Sequence, residues 1–335
     1  MARKKTVDRN ASPSAYGWCF QVGAGISLML DYVRDFSHLK MEGVSDDIEI
    51  TLGEGKKLYA QAKSVTQIGY QRTAARNLTD AIKVLSEDAH NGDAVKLVYI
   101  TNIANPLSSS MPSVFQYGHS YEFSVLPTDA KKKIREKGDK KFPTDKFELQ
   151  IINFFGDGEN KFQSIKEKIK EFLHEAIGDT SYSKPLLNDW FKTFMLNASD
   201  KPDKEKKLDL SKKDIVYPVI AIIINYPISD VEFGKVSDYD NYLEIEKEFR
   251  KTIYENTCDY EFIANVLGDF LDKRNNATDK ANYKYEFTKN EWHNYENEFI
   301  SIGDTDKRQA LIKLLILTII AHNSTFNRIK KAVNL

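Results

Sequence analysis

Cysteine is nearly missing from this chain: Cys19 and Cys258 are the only two in 335 residues, and they lie far apart. That excludes a disulfide framework and a thiolate zinc site, both of which need several cysteines at short spacings. The histidines, His38, His90, His119, His174, His293 and His322, are scattered without ligand spacing. An excess of either charge is lacking too, with Lys+Arg 48 against Asp+Glu 49 and a formal net charge of -1. A protein that coats nucleic acid is strongly basic, so any such contact here must come from a local patch or a partner. No long hydrophobic run is present either. LIKLLILTII, residues 311 to 320, holds a Lys and is far shorter than the ~20 residues of a membrane span. It is expected as a buried or partner-facing helix, with no membrane contact. No secretory signal precedes the first predicted helix, which points to a reducing cytoplasm.

What the chain does have is a short hairpin with chemistry on one face. In residues 43 to 65, Ile48, Ile50 and Leu52 alternate with Asp47, Glu49 and Thr51, and Leu58, Ala60 and Ala62 alternate with Tyr59, Gln61 and Lys63. Gly53-Glu54-Gly55 reads as the turn. A hairpin centred on Glu54 pairs Leu52 with Lys56, Ile48 with Ala60 and Asp47 with Gln61, and Lys63 then points to the same face as Gln61. A slip of one residue would turn every side chain to the other face. Both Asp46 and Asp47 offer a carboxylate, and this register selects Asp47. A carboxylate and an amide carbonyl are hard oxygen donors of the kind Mg²⁺ prefers, and a Lys beside them can hold water or phosphate. A solvated polar hairpin has the same pattern.

Around the hairpin the element order reads αβββαβ. Residues 14 to 36 form the first predicted helix, with Phe20, Ala24, Leu28 and Tyr32 on one face. Its Gly23-Ala24-Gly25 has no preceding strand, so it reads as small residues for close packing rather than a phosphate loop. A second helix is predicted at about 70 to 90. Arg72, Arg76 and Lys83 fall near one of its faces, a placement suited to DNA phosphates, although the interspersed Asp80, Glu87 and Asp88 fit a solvated face equally. AVKLVYIT, residues 94 to 101, reads as a buried strand.

Taken in order, Phe20-Gln21 after Gly17, Glu42, Asp47-Ile48, Gln61-Ala62-Lys63 and Tyr99-Ile100-Thr101-Asn102 resemble the motifs of the Mrr-like branch of the PD-(D/E)XK nucleases. They are also similar to the nuclease domains of bacterial antiphage effectors. The resemblance covers roughly residues 14 to 102. It implies a restriction-endonuclease-like mixed sheet in which Asp47, Gln61 and Glu42 bind the metal, Lys63 is the catalytic lysine, and Gln21 completes the site. Gln61 stands where Glu is commoner, which lowers the negative charge of the site. The implied cofactor is Mg²⁺, with Mn²⁺ as a substitute, and the implied activity is hydrolysis of double-stranded DNA. Such an effector needs gating by a homo-oligomer or by a regulatory partner. An SMC-like ATPase as in Lamassu systems, a HerA-like ATPase and a nucleotide-sensing module as in CBASS effectors are the implied possibilities. An RNase, or a non-catalytic subunit that keeps the fold to bind DNA or a partner, would share these residues.

The length suggests about two domains, divided here into a nuclease-like part, 1–178, and a mainly helical assembly or regulatory part, 179–335. The charged stretch 127 to 146 reads as a solvent-facing connection. FELQIINFF at 147 to 155 reads as a strand, and 161 to 177 as an amphipathic helix. A polar stretch at 199 to 214 precedes an apolar segment whose Pro218 leaves its type open. Beyond it, helical stripes run through Tyr242, Ile245, Phe249 and Ile253, then through Phe262, Ile263, Val266, Leu267 and Phe270.

Overall fold

The computed structural model describes residues 12–41, 47–67, 71–107, 115–199, 208–224, 228–238, 242–257 and 260–334. The chain forms two compact units, one of residues 1–174 and 179–212, the other of 175–178 and 213–335. Contact thus groups residues 179–212 with the first unit, whereas composition had placed them with the second.

In the first unit, helix α1 (Ser12–Asp31) leads to strands β1 (Phe36–Met41), β2 (Ile48–Leu52) and β3 (Lys57–Lys63), then to helix α2 (Gln71–Asp88) and strand β4 (Ala94–Thr101). This is the αβββαβ order expected from the sequence. The first helix is shorter than expected, because at Phe36 the burial pattern changes to that of a strand, with Phe36, Leu39 and Met41 inward. Strands β1, β2 and β3 are antiparallel neighbours, and β4 lies parallel to β3 across α2.

The sheet then widens. Strand β5 (His119–Glu122), helix α3 (Thr128–Lys137), strand β6 (Phe147–Ile151), helices α4 (Gln163–Ala176) and α5 (Ser183–Ser199) and strand β7 (Leu208–Ser211) complete the unit. The order across the sheet is β5-β6-β4-β3-β2-β1-β7. Two expectations are corrected here. The charged stretch 127 to 146 is not merely a connection, because Ala130 and Ile134, one turn apart, seat α3 in the core. Within the polar stretch 199 to 214, Leu208 to Ser211 pairs antiparallel with β1. β6 ends at Ile151, earlier than expected, and Phe154 turns under α1 against Tyr16 and Phe20. One face of the sheet carries the core of Tyr59, Leu97, Tyr99 and Leu149 with Leu78, Ala81, Ile82 and Leu85 of α2.

Among its described residues the second unit has helices and no strand. Helices α6 (Lys212–Ile224), α7 (Asp230–Phe233), α8 (Tyr242–Glu248), α9 (Arg250–Thr257), α10 (Tyr260–Arg274) and α11 (Tyr283–Glu291) precede α12 (Thr305–Ala321) and α13 (Asn323–Val333). Pro218 lies inside α6. The centre is α12, buried at every position from Ala310 to Ile320, as a helix apolar on all sides must be. Among the described residues no single helix is long and apolar enough to cross a membrane. Only α12 and α13 taken together pass by length and composition, and they are bent by 60°.

Candidate active site

The hairpin register is the one read from the alternation. Ile48 lies opposite Ala60 and Ile50 opposite Leu58, while the Leu52 N–H donates to the Lys56 carbonyl at 2.7 Å. Gly55 and Glu54 both adopt positive φ, 71° and 61°, in the tight turn between the strands. That turn sets Asp47, the residue just before β2, beside the end of β3.

Asp47 is 8% exposed and makes two kinds of contact. Its Oδ2 accepts the Ala62 N–H at 2.9 Å, continuing the ladder beyond the last paired residue of β2. Both of its oxygens accept from the Lys63 ammonium, Oδ1 at 3.1 Å and Oδ2 at 2.9 Å. Gln61 is buried at 2% exposure and shares a face with Tyr59 and Lys63, the face that α2 covers. In β4 its partner is Tyr99, and the partner of Lys63 is Thr101.

Past Lys63 the chain is held from one side by Asn102, which is fully buried. The Val65 N–H donates to Asn102 Oδ1 at 2.9 Å, and Asn102 Nδ2 donates to the Val65 carbonyl at 2.8 Å and to Tyr16 Oη at 3.3 Å. The Tyr16 hydroxyl in turn donates to the Phe154 carbonyl. Burial raises the Tyr16 pKa, and the hydrogen bond from Asn102 works against that rise. On the strand's other end, burial pushes the Tyr59 phenol up to about 12, and its hydroxyl donates to Asp93.

Lys63 opens onto a cleft of about 550 Å³ lined by α1 residues Tyr16, Trp18 and Gln21, by Ser64 and Thr66 past β3, and by Thr73 and Asn77 of α2. Gln21 and Lys63, singled out by sequence, therefore share one cavity wall. Asp47 reaches that wall through Lys63, and neither Asp47 nor Gln61 is among the residues that line the cleft. Glu42 and Asp46 lie outside the described residues, as does the side chain of Arg72. Arg76 and Lys83 are exposed on α2 and alternate there with the exposed Asp80 and Glu87.

Sequence reasoning did not assign Asn102 and Tyr16 to the site. A strand-terminal Asn following a run of buried apolar residues was the available signal for the first, since a buried amide must find backbone partners. Nothing in the sequence marks Tyr16.

Among the described residues no three His, Cys, Asp or Glu side chains gather as a metal-binding group. The donors at hand are one carboxylate and one amide, both hard oxygens. That set fits a magnesium ion keeping most of its own waters. The Lys63 ammonium, drawn to both Asp47 oxygens, marks where positive charge is favoured.

No family model matches the chain, and no curated protein matches it. Among solved structures it is similar to a Cap4 SAVED/CARF-domain containing receptor of Moraxella osloensis, at 14% identity and a TM-score of 0.37, over 69% of this chain and 50% of that one. It is also similar to the Cap4 SAVED/CARF-domain containing receptor of Acinetobacter baumannii, at 14% identity and a TM-score of 0.39, over 78% of this chain and 63% of that one. For the same receptor with the cyclic trinucleotide 3'3'3'-cAAA, the identity is 15% and the TM-score 0.38, over 78% of this chain and 60% of that one. The chain thus spans between 50% and 63% of the receptors it matches.

Proposed function

We propose that this chain is a metal-dependent DNA endonuclease, the effector of a bacterial antiphage defence system, held inactive until a partner or self-assembly releases it. The observation that carries the reading is the Lys63 ammonium 2.9 Å from Asp47, with Gln61 next in register and Gln21 on the same cleft wall. The αβββαβ order, with β3 parallel to β4 across α2, supports it because it is the core that the motif resemblance implies.

Asp47 and Gln61, with Glu42, would hold Mg²⁺, which when bound supplies an acidified water and compensates charge on phosphate. With a cation held at Asp47, Lys63 would be released from its ion pair. The freed ammonium donates to a non-bridging phosphate oxygen or to the attacking water, and so opposes the negative charge that builds during in-line displacement. Ser64, Thr66, Thr73 and Asn77 line the cleft with hydrogen-bond donors for phosphate and sugar oxygens. Asn102 holds Val65, and through it the strand end that carries Lys63.

One observation favours a second reading. Asp47 Oδ2 serves as a ladder acceptor for Ala62, so a non-catalytic subunit would keep Asp47 for structural reasons alone. The two are separated by incubating the full chain, alone and with the product of a neighbouring gene, on double-stranded DNA, single-stranded DNA and RNA with Mg²⁺ or Mn²⁺. Cleavage of double-stranded DNA that disappears in Lys63→Ala is the expected result. Cleavage that survives Lys63→Ala and Asp47→Ala would overturn the site; no cleavage under any condition would favour the second reading, and cleavage of RNA alone the ribonuclease.

A further inference from the structure

We infer that helix α3 and the turn after it form a contact surface for the phosphate backbone of a DNA duplex, separate from the cleft. This rests on the endonuclease reading for its choice of polyanion.

Residues 128 to 141 carry seven cationic side chains, Lys131, Lys132, Lys133, Arg135, Lys137, Lys140 and Lys141, against three acidic ones. The chain as a whole has net charge -1, so this is a local excess. Elsewhere in the unit, lysines are largely paired: Lys57 with Glu49, Lys96 with Glu148, Lys166 with Glu159 and Lys168 with Asp31. On α3 the pattern is different. Among the described residues no ion pair forms at Lys132, Lys133, Lys137, Lys140 or Lys141, and all but the half-buried Lys133 are exposed.

Opposite charges balance the helix only in part, Asp129 with Lys133 and Lys132 with Glu136 lying one turn apart. Lys133 and Lys137 are one turn apart, a like-charge spacing that destabilises an isolated helix. Burial lowers the Lys133 pKa, Lys137 lowers it further, and Glu136 opposes the fall. Cations in the last turn suit the helix dipole, which accounts for Arg135 and Lys137. In the first half, where the dipole disfavours positive charge, Lys131 donates to the Ser124 carbonyl, and Lys132 is left with no such account. A row of ammonium groups, mostly exposed and without ion pairs among the described residues, is what an external polyanion would neutralise.

The placement suits a duplex. Ala130 and Ile134 pack with Leu78, Ile82 and Leu85 of α2, while Thr73 of α2 lines the cleft. From Thr73 to Leu85 is about 18 Å along the helix, on the order of five base pairs of duplex. The alternating charges exposed on α2, Arg76, Asp80, Lys83 and Glu87, make that helix a poorer phosphate surface than α3.

The test measures binding of the full chain to a fluorescent 30-base-pair duplex without divalent metal, across a range of NaCl concentrations. The variant carries K132Q, K133Q, K137Q and K140Q; the control carries R76Q and K83Q. The expected result is at least tenfold weaker binding by the four-site variant at about 100 mM salt, with the slope of log K against log salt shallower by ~2–4. The control should change affinity less than threefold. An unchanged slope and affinity in the four-site variant would overturn the proposal, as would failure of the wild type to bind the duplex. So would selective loss of binding to phosphatidylserine vesicles, which would assign the helix to a lipid surface. Thermal melting confirms folding, and K132Q/K137Q alone repeats the test with half the change. A wild type that binds in this salt-dependent way yet never cleaves would sink the nuclease reading and leave this surface standing.

Discussion

Asn102 grips Val65 by both of its backbone polar groups, accepting its N–H at 2.9 Å and donating to its carbonyl at 2.8 Å. A buried amide satisfied this way replaces two ladder bonds that β3 can no longer make after Lys63. Asn102→Ala leaves both Val65 groups buried and unpaired, at a cost of ~1–3 kcal/mol each. A fall of about 2–5 kcal/mol in urea-unfolding stability is expected; a fall under ~0.5 kcal/mol would show that water replaces the side chain without loss.

Asp47 has a ladder role and a charge role, and one substitution divides them. Asp47→Asn keeps an oxygen for the Ala62 N–H while removing the charge that attracts Lys63 and a metal. Cleavage should drop by ~100-fold or more with stability within ~1 kcal/mol of wild type. Equal losses of stability in Asp47→Asn and Asp47→Ala would instead make the charge structural.

Gly23 faces Ile165 so closely that an added Cβ would lie 2.5 Å from the Ile165 Cδ1 methyl. Gly23→Ala should destabilise the first unit by ~1–3 kcal/mol through overpacking. Ile165→Val, which removes that methyl, should recover most of the loss in the double variant. Additive losses would locate the strain elsewhere.

Lys313 is buried in the middle of α12 at 8% exposure, and burial lowers its pKa, with Lys289 adding to the effect and Asp238 opposing it. Below the folded value both states hold the proton, and the cost of burying the charge is fully present. Between the folded value and 10.5 the unfolded chain binds more protons, so stability rises with pH there. Lys313→Met should therefore melt higher at pH 7 by ~2–4 °C for about 1 kcal/mol. Its advantage should shrink toward pH 10. An advantage that stays constant with pH would be one of packing, not charge.

The hairpin was legible because two signals agreed: strict alternation on both strands and a Gly-Glu-Gly turn that admits one centred register. The apolar runs at 94 to 101 and 311 to 320 were legible by burial alone. Helix α3 and strand β7 were not, since few buried residues mark them, Ala130 and Ile134 in the first and Leu210 in the second, inside stretches whose charge signals solvent. The first predicted helix ran too far because Tyr32 continues the helical stripe of Leu28 while the chain has already turned toward β1. Within the site, Asp47, Gln61 and Lys63 could be placed by periodicity. The Asn102 clamp could not, because it joins residues 37 positions apart.

Strand β7 comes from residues 208 to 211 and lies on the outer edge of β1. During synthesis, the first six strands of the sheet leave the ribosome well before their last neighbour exists. Until then β1 offers a bare row of backbone donors and acceptors, the kind of edge that recruits strands from other chains. A fragment ended at residue 178 would keep that edge permanently. Expression of the first unit alone therefore needs the chain through at least Ser211, and a shorter piece that aggregates would say nothing about the stability of the cleft.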